Sequence, residues 1–397
     1  MWYSHSMARA EKILSGCSVI FCVLILSSNG VAGNLRVGSL EIYPYVSVSA
    51  GYTDNVYLTG NDEVSDSFFL ISPGVKLVLP MGKHSFNLDY TVDHYAYREQ
   101  DEADRTIHNA TGVLDLNPWK RLNIQIRDTF IRGEDPPDFE GGETSPFIWN
   151  SPSIHALYDI TSRLALGVGV EYASKQYDHS VDQIDDYDEN GLSGQLYAKV
   201  LPKTSLVVFY EYRDRDYDER RLDDNSSNRL EGGVTWEIGA KSVGTIRVGY
   251  METEYDGLDR TDEALSYFIN LTHQLRPKTF VSVEGVREIL DTSQADRNLV
   301  FSNDYVSTQI AGSLSHRYRK STGRLRVAYI QDDYLHDDIA AGEKRKDNLF
   351  RVEFGIDHAL RRWLSFGGSY RYTNLDSNFE REEYEENVFL VYVSLIP

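Results

Sequence analysis

The sequence predicts an all-β chain: one transmembrane antiparallel up-and-down β-barrel of about eighteen strands. Three observations carry that prediction. Apolar and polar residues alternate at period two over segments of about 10 to 14 residues, longer than the strands of most soluble proteins. The connections between these segments alternate between short and long. Charge follows the same partition, acidic in the long connections and basic in the short ones.

The first element, residues 1–33, reads as a signal peptide. Arg9 and Lys12, counted from a start at Met1 or Met7, precede an apolar run from Val19 to Leu26. The small residues Val31-Ala32-Gly33 follow as a cleavage site. That run is too short to cross a bilayer as a helix, which takes about 20 residues. Leu14-Ser15-Gly16-Cys17 matches a lipoprotein box by residue type, but such a box follows the apolar core, and here the core comes after it. Cys17 and Cys22 both lie in this leader, so residues 34–397 contain neither thiol nor disulfide.

Residues 34–397 show no linker and no break in composition, and they read as one domain, the barrel. Phe86, Leu88, Tyr90 and Val92 alternate with Asn87, Asp89, Thr91 and Asp93. Leu164, Leu166, Val168, Val170 and Tyr172 alternate with small residues and Glu171. Leu265 to Leu271 and Phe350 to Ile356 repeat the rhythm. Successive strand side chains face opposite sides, so each segment has one apolar and one polar face. Tilted membrane strands need about 9–11 residues, which the segments satisfy and a soluble sandwich does not require.

Short turns are expected at Pro80–Lys83, Asn117–Lys120, Pro202–Thr204, Gly239–Ser242 and Arg276–Thr279. Longer loops are expected from Gly133 to Thr144, Asp178 to Asp186 and Asp216 to Asn225. Short periplasmic turns and long outside loops mark an outer-membrane barrel with both termini in the periplasm of a Gram-negative cell. Strands then run from near Glu41 to near Ile396. The loops are acidic, as at Asp182, Asp185, Asp186 and Asp188, while Lys83, Lys203, Arg276 and Arg361 make the turns basic. Tyr57, Tyr97, Tyr212, Tyr255, Tyr334 and Tyr372 are expected to form one interfacial belt, with Trp119 and Trp363 at the other end. Phe389, Val391, Val393 and Leu395 alternate as a closing strand should. Many such barrels end on an aromatic residue read by the assembly machinery, and Leu395-Ile396-Pro397 departs from that.

Composition excludes some functions. With 61 acidic and 40 basic residues the formal net charge is −21, so the chain offers no basic face for nucleic acid. The histidines, among them His84, His94, His108, His155, His273 and His316, fall singly on different strands without the spacing of a metal pair. Asp93-His94 and Asp357-His358 turn to opposite faces of a strand. Asp186 to Gly191 matches the first half of a calcium loop, but the twelfth position is Tyr197 rather than a bidentate Glu, so it reads as an acidic loop. No catalytic residue, metal site or cofactor is expected, and the chain reads as a non-enzyme. The polar faces should line the lumen, and the candidates are Asp89, Asp93, Arg127, Glu171, Glu211, Arg213, Glu231, Glu237, Arg247, Arg326, Arg351 and Glu353. At 16–18 strands a barrel encloses an aqueous channel unless it is plugged. The same charges also serve as structural pairs between neighbouring strands, and sequence leaves both roles open.

Glu41 to Thr59, EIYPYVSVSAGYTDNVYLT, resembles the opening strand of the family called putative β-barrel porin 2. The resemblance lies in a strand running into Tyr52-Thr53-Asp54-Asn55-Val56-Tyr57, where a more typical member has Asp in place of Thr53. It implies an outer-membrane conduit in export of an exopolysaccharide or capsule, with a periplasmic export partner and a glycan as cargo. An acidic mouth favours a neutral or weakly charged glycan, and Tyr95 is a candidate to stack on sugar rings. The alternatives are a general diffusion porin with cation preference and a structural or adhesive barrel. Outer-membrane lipid, lipopolysaccharide and the barrel-assembly machinery are the further expected partners.

Overall fold

The computed structural model describes residues 35–134, 146–178, 183–219, 222–238, 241–257, 259–290, 304–337 and 342–396. The leader at 1–33, most of the connection expected from Gly133 to Thr144, and Asp182 lie outside these residues.

A short strand, β1 (Leu35–Val37), leads into eighteen long ones. The first six are β2 (Leu40–Thr53), β3 (Asp66–Met81), β4 (His84–Tyr97), β5 (Arg105–Trp119), β6 (Leu122–Glu134) and β7 (Pro146–Asp159). The next six are β8 (Leu164–Tyr177), β9 (Tyr187–Leu201), β10 (Thr204–Tyr217), β11 (Asn225–Ile238), β12 (Ser242–Tyr255) and β13 (Arg260–Arg276). The last are β14 (Thr279–Leu290), β15 (Tyr305–Tyr318), β16 (Ser321–Asp337), β17 (Lys344–Ala359), β18 (Leu364–Ser377) and β19 (Tyr384–Leu395). Each pairs antiparallel with its neighbours in sequence, and β19 returns to β2, Val388–Leu395 against Val46–Thr53. The sheet is therefore a closed ring of eighteen, as the alternation and even strand count require. β1 folds back on β2 at Leu40–Ile42, just past the point where β19 stops pairing.

One end of the barrel carries the turns and the other the loops. Two residues join β3 to β4, β5 to β6, β9 to β10, β13 to β14 and β15 to β16. At Gly82-Lys83 the glycine takes φ +69, the conformation a two-residue hairpin needs at its first position. β8 ends at Tyr177 and β9 begins at Tyr187, the bounds expected for the loop from Asp178 to Asp186, whereas β10 and β11 reach into the loop expected from Asp216 to Asn225. Asp188, Glu189, Asn190 and Gly191 belong to β9, and Asp216 to β10, because strand pairing continues past the membrane zone and absorbs polar residues that composition assigns to loops.

Residues directly opposite in register share a face, so one row identifies the set. Tyr210, Leu230, Tyr250 and Leu265 lie opposite one another across β10 to β13, and all are exposed. With Val170, Ile310, Phe354 and Val391 they form an apolar outer face suited to lipid. Five outer tyrosines bond to the residue two positions nearer the loop end on the next strand. Tyr172 donates to Asp188 (2.7 Å), Tyr210 to Asn228 (2.7 Å), Tyr329 to Asn348 (2.8 Å) and Tyr370 to Asn387 (2.7 Å), while Tyr250 donates to Glu263. This is the interfacial belt: ring toward lipid, hydroxyl toward water.

The belt differs from the one expected. Tyr212 and Tyr372 share the outer set, but Tyr97, Tyr255 and Tyr334 fall on the inner one and Tyr57 lies in the β2–β3 loop. Tyr255 is buried under the Arg260 guanidinium, 3.7 Å from its ring centre. A shift of one residue along a strand moves a side chain to the other face, which residue type does not reveal.

Candidate functional site

The inner wall is built by the same alternation. Asp89 and Asp93 occupy β4, Arg127 β6, Glu171 β8, Glu211 and Arg213 β10, Glu231 and Glu237 β11, and Arg247 β12. Arg326 is on β16, Arg351 and Glu353 on β17. Register sets each of these twelve opposite the exposed apolar set, on the inner side of its strand. Glu237 sits near the turn end and is exposed.

The structure gathers several of them into pairs. Glu211 accepts from Arg229 on β11 and from Arg213 (3.3 Å), and Arg229 reaches Glu288 on β14 at 3.0 Å. Arg247 bonds Glu231 at 2.8 Å and lies between the rings of Phe209 (4.2 Å) and Phe268 (4.4 Å). Glu231 is fully buried, so the arginine offsets a desolvation cost that an unpaired carboxylate would not survive. Glu171 accepts from His155 at 3.0 Å, and Arg326 donates to Glu284, two strands away, at 2.9 Å. Much of the wall charge is thus matched between strands, the structural role left open by the sequence.

Two tyrosines bridge alternate strands across a glycine. Tyr45 on β2 passes over Gly74 on β3 to donate to Asp89 on β4 at 2.7 Å. Tyr392 on β19 passes over Gly367 on β18 to donate to Asp357 on β17. A Cβ on either glycine would fall inside the tyrosine ring, so the bridge needs glycine there.

Inside the ring a cavity of about 680 Å³ runs along the arc of strands from β15 through β19 and β2 to β5. Arg105, Arg324, Arg326, Arg351 and Arg371 line it, against Glu353 and Glu386. Arg371 bonds Glu386 (3.2 Å) and Arg324 pairs with Asp357, whereas Arg351 bonds the Thr373 hydroxyl at 3.2 Å. Arg105 stacks over Tyr95 at 4.6 Å. The apolar side comprises Leu58, Leu70, Leu390 and the cluster around Phe68 and Tyr97.

The loop after β2 closes over this cavity from a fixed base. Asn55, fully buried, donates to the carbonyls of Thr59 (2.8 Å) and Glu385 (2.9 Å) and accepts from the Thr59 amide (3.1 Å). Asp54 accepts from the backbone and side-chain nitrogens of Asn387, each at 2.7 Å. These bonds join the first long strand to the last. Elsewhere at this end Asp186 accepts the Tyr177 amide at 2.7 Å, and burial, with Asp218 and Glu219 nearby, pushes its carboxyl above the usual range.

Arg105, Arg324, Arg371, Glu386 and the Asp54-Asn55 latch are residues that sequence reasoning missed as site residues. Alternation places Arg324 on the face of Arg326 and was a usable signal. The facing of Arg371 with Glu353 depends on register between strands and was not.

A family model described as putative beta-barrel porin 2 matches residues 30–396. No curated protein is detectably similar in sequence. Among solved structures, the outer membrane protein OpdK from Pseudomonas aeruginosa shares 12% identity over 90% of this chain and 99% of that one, with a TM-score of 0.47. OccAB3 of Acinetobacter baumannii shares 11% over 90% and 99%, TM-score 0.47. The copper transporter OprC shares 11% over 88% of this chain, TM-score 0.49, and the match spans 63% of OprC.

Proposed function

The chain belongs to the putative beta-barrel porin 2 family, and on that premise we propose that it is a diffusion channel for small hydrophilic solutes. It is a porin-type β-barrel of the outer membrane. The observation that carries the proposal is the inner wall: eighteen strands present charged and polar side chains inward, where a packed barrel presents an apolar filling. Charges matched in pairs hold a polar wall together without one sign of charge obstructing passage. The short basic turns face the periplasm in this reading, the acidic loops the outside. The loops give the entrance a weak preference for cations.

This reading stands ahead of polysaccharide export, for which the width of the barrel and the family resemblance speak. Tyr95, the residue offered there for sugar stacking, packs against Phe68 and lies beneath Arg105. Single-channel recording of the refolded chain in planar bilayers tests the proposal. Stepwise conductance that a neutral oligosaccharide leaves unchanged is the expected result. Inserted protein without conductance overturns it.

A further inference from the structure

We propose that the arginine-lined cavity is a subsite for a small organic anion with an apolar body, such as a carboxylate on a short hydrocarbon or ring. The inference deepens the channel reading and rests on it. Two features of the cavity point to this ligand chemistry.

The first is charge. Five guanidinium groups line the cavity against two carboxylates, and Asp357 and Glu284, just outside the lining, pair with Arg324 and Arg326. Arg351 and Arg371 remain incompletely matched. Arg351 has the Thr373 hydroxyl as its bonded partner among the described residues, and no carboxylate lies within ion-pair distance of it there. Arg371 spends one terminal nitrogen on Glu386, while its buried Nε has no partner among the described residues. Arg351 and Arg371 sit on adjacent strands one diagonal apart, Arg351 opposite Thr373 and Arg371 opposite Glu353. Planar guanidinium forks recognise carboxylate through paired N–H bonds and are the natural receptors for that geometry.

The second is the apolar patch that adjoins these arginines on the next strands. Leu70 on β3 and Leu390 on β19, both half-buried, face the same space as the arginines, and Leu58 enters from the loop above. Leu58 holds φ +50, a conformation a branched residue rarely takes, and the bonds of Asn55 and Thr59 fix the backbone on either side of it. Inorganic phosphate would satisfy the basic wall and leave the apolar one idle. An anion with a hydrocarbon body uses both. The acidic loops do not bar its approach, because at physiological salt their field fades over about 8 Å.

Calorimetric titration of the refolded full chain in micelles with phenylacetate, phenylacetamide and inorganic phosphate tests the proposal. Phenylacetate should bind at one site, with the amide and phosphate each at least about tenfold weaker, the equivalent of one lost hydrogen bond to a charged group. Arg351→Gln should weaken phenylacetate about tenfold, and Arg351→Lys by less, since it keeps the charge and loses the fork. Arg319→Gln, at the exposed β15–β16 turn, should leave binding unchanged. Amide binding as tight as phenylacetate overturns the role of the arginines, and phosphate binding as tight overturns that of the apolar wall. If Arg351→Gln fails to fold, Arg351→Lys and the three wild-type titrations still decide. Bilayer recording separates the two readings. Binding without conductance removes the channel and keeps the subsite, whereas conductance without binding removes the subsite and keeps the channel.

Discussion

Asp54 and Asn55 show how a short motif acquires a physical role. They follow β2 directly, and their side chains reach Glu385 and Asn387 at the start of β19, more than three hundred residues away in sequence. The β19–β2 seam needs this support because its ladder, Val46–Thr53 with Val388–Leu395, is shorter than the full-length ladders such as β11 with β12. Replacing Asn55 by Ala leaves the Thr59 and Glu385 carbonyls and the Thr59 amide without it in a buried site. The expected cost is about 3 kcal/mol, from roughly 1–3 kcal/mol per orphaned group with partial relaxation. Urea titration of the barrel refolded into vesicles measures it, and an unchanged midpoint would show that the latch adds nothing to closure.

Single strands show where the outer face departs from an ideal lipid surface. β6 alternates Ile124, Ile126, Asp128 and Phe130 on its outer side, in register with Gly112 of β5 and Pro152 of β7 at Asp128. Asp128 is exposed, and both neighbours lack a polar side chain to pair with it. A charged residue on the lipid face is unfavourable, by less for Asp than the roughly 2–4 kcal/mol of a central Arg or Lys. Asp128→Leu is therefore expected to raise the urea midpoint in vesicles, by about 1 kcal/mol in stability. A lower midpoint would mean that Asp128 serves a contact other than lipid. The outer tyrosines illustrate the opposite case, five strands repeating one bond geometry.

At the scale of the barrel, charge is sorted by position. Acidic loops crown one end, basic turns the other, and part of the charge on the wall between is matched in pairs such as Glu211 with Arg229 and Glu231 with Arg247. Such a channel should favour potassium over chloride weakly, because the acidic loops outweigh the basic turns in a chain of net charge −21. Reversal potentials under a KCl gradient should show this preference near 0.1 M and lose most of it near 1 M, as the screening length falls from about 10 to about 3 Å. A preference that persists at high salt would place the selecting charges in the narrow lumen instead.

Much of this protein was legible before folding, and the reason is geometric. Strand side chains alternate at period two whatever the partner strand is, so Leu164 to Tyr172 and Phe350 to Ile356 declare an apolar face locally. Turn chemistry, loop charge and strand length are equally local, and together they determined the barrel, its strand number and the polar set that includes Glu211, Arg247 and Arg351. Which of those residues meet was decided only when the ring closed. Arg229 joins Glu211 to Glu288, and Arg326 meets Glu284, because of register summed around the sheet. The cavity, its adjoining basic and apolar residues, and the true facing of Tyr97, Tyr255 and Tyr334 depend on the same sum. A shift of one residue in any ladder would change it, and no single strand's sequence encodes its neighbour's register.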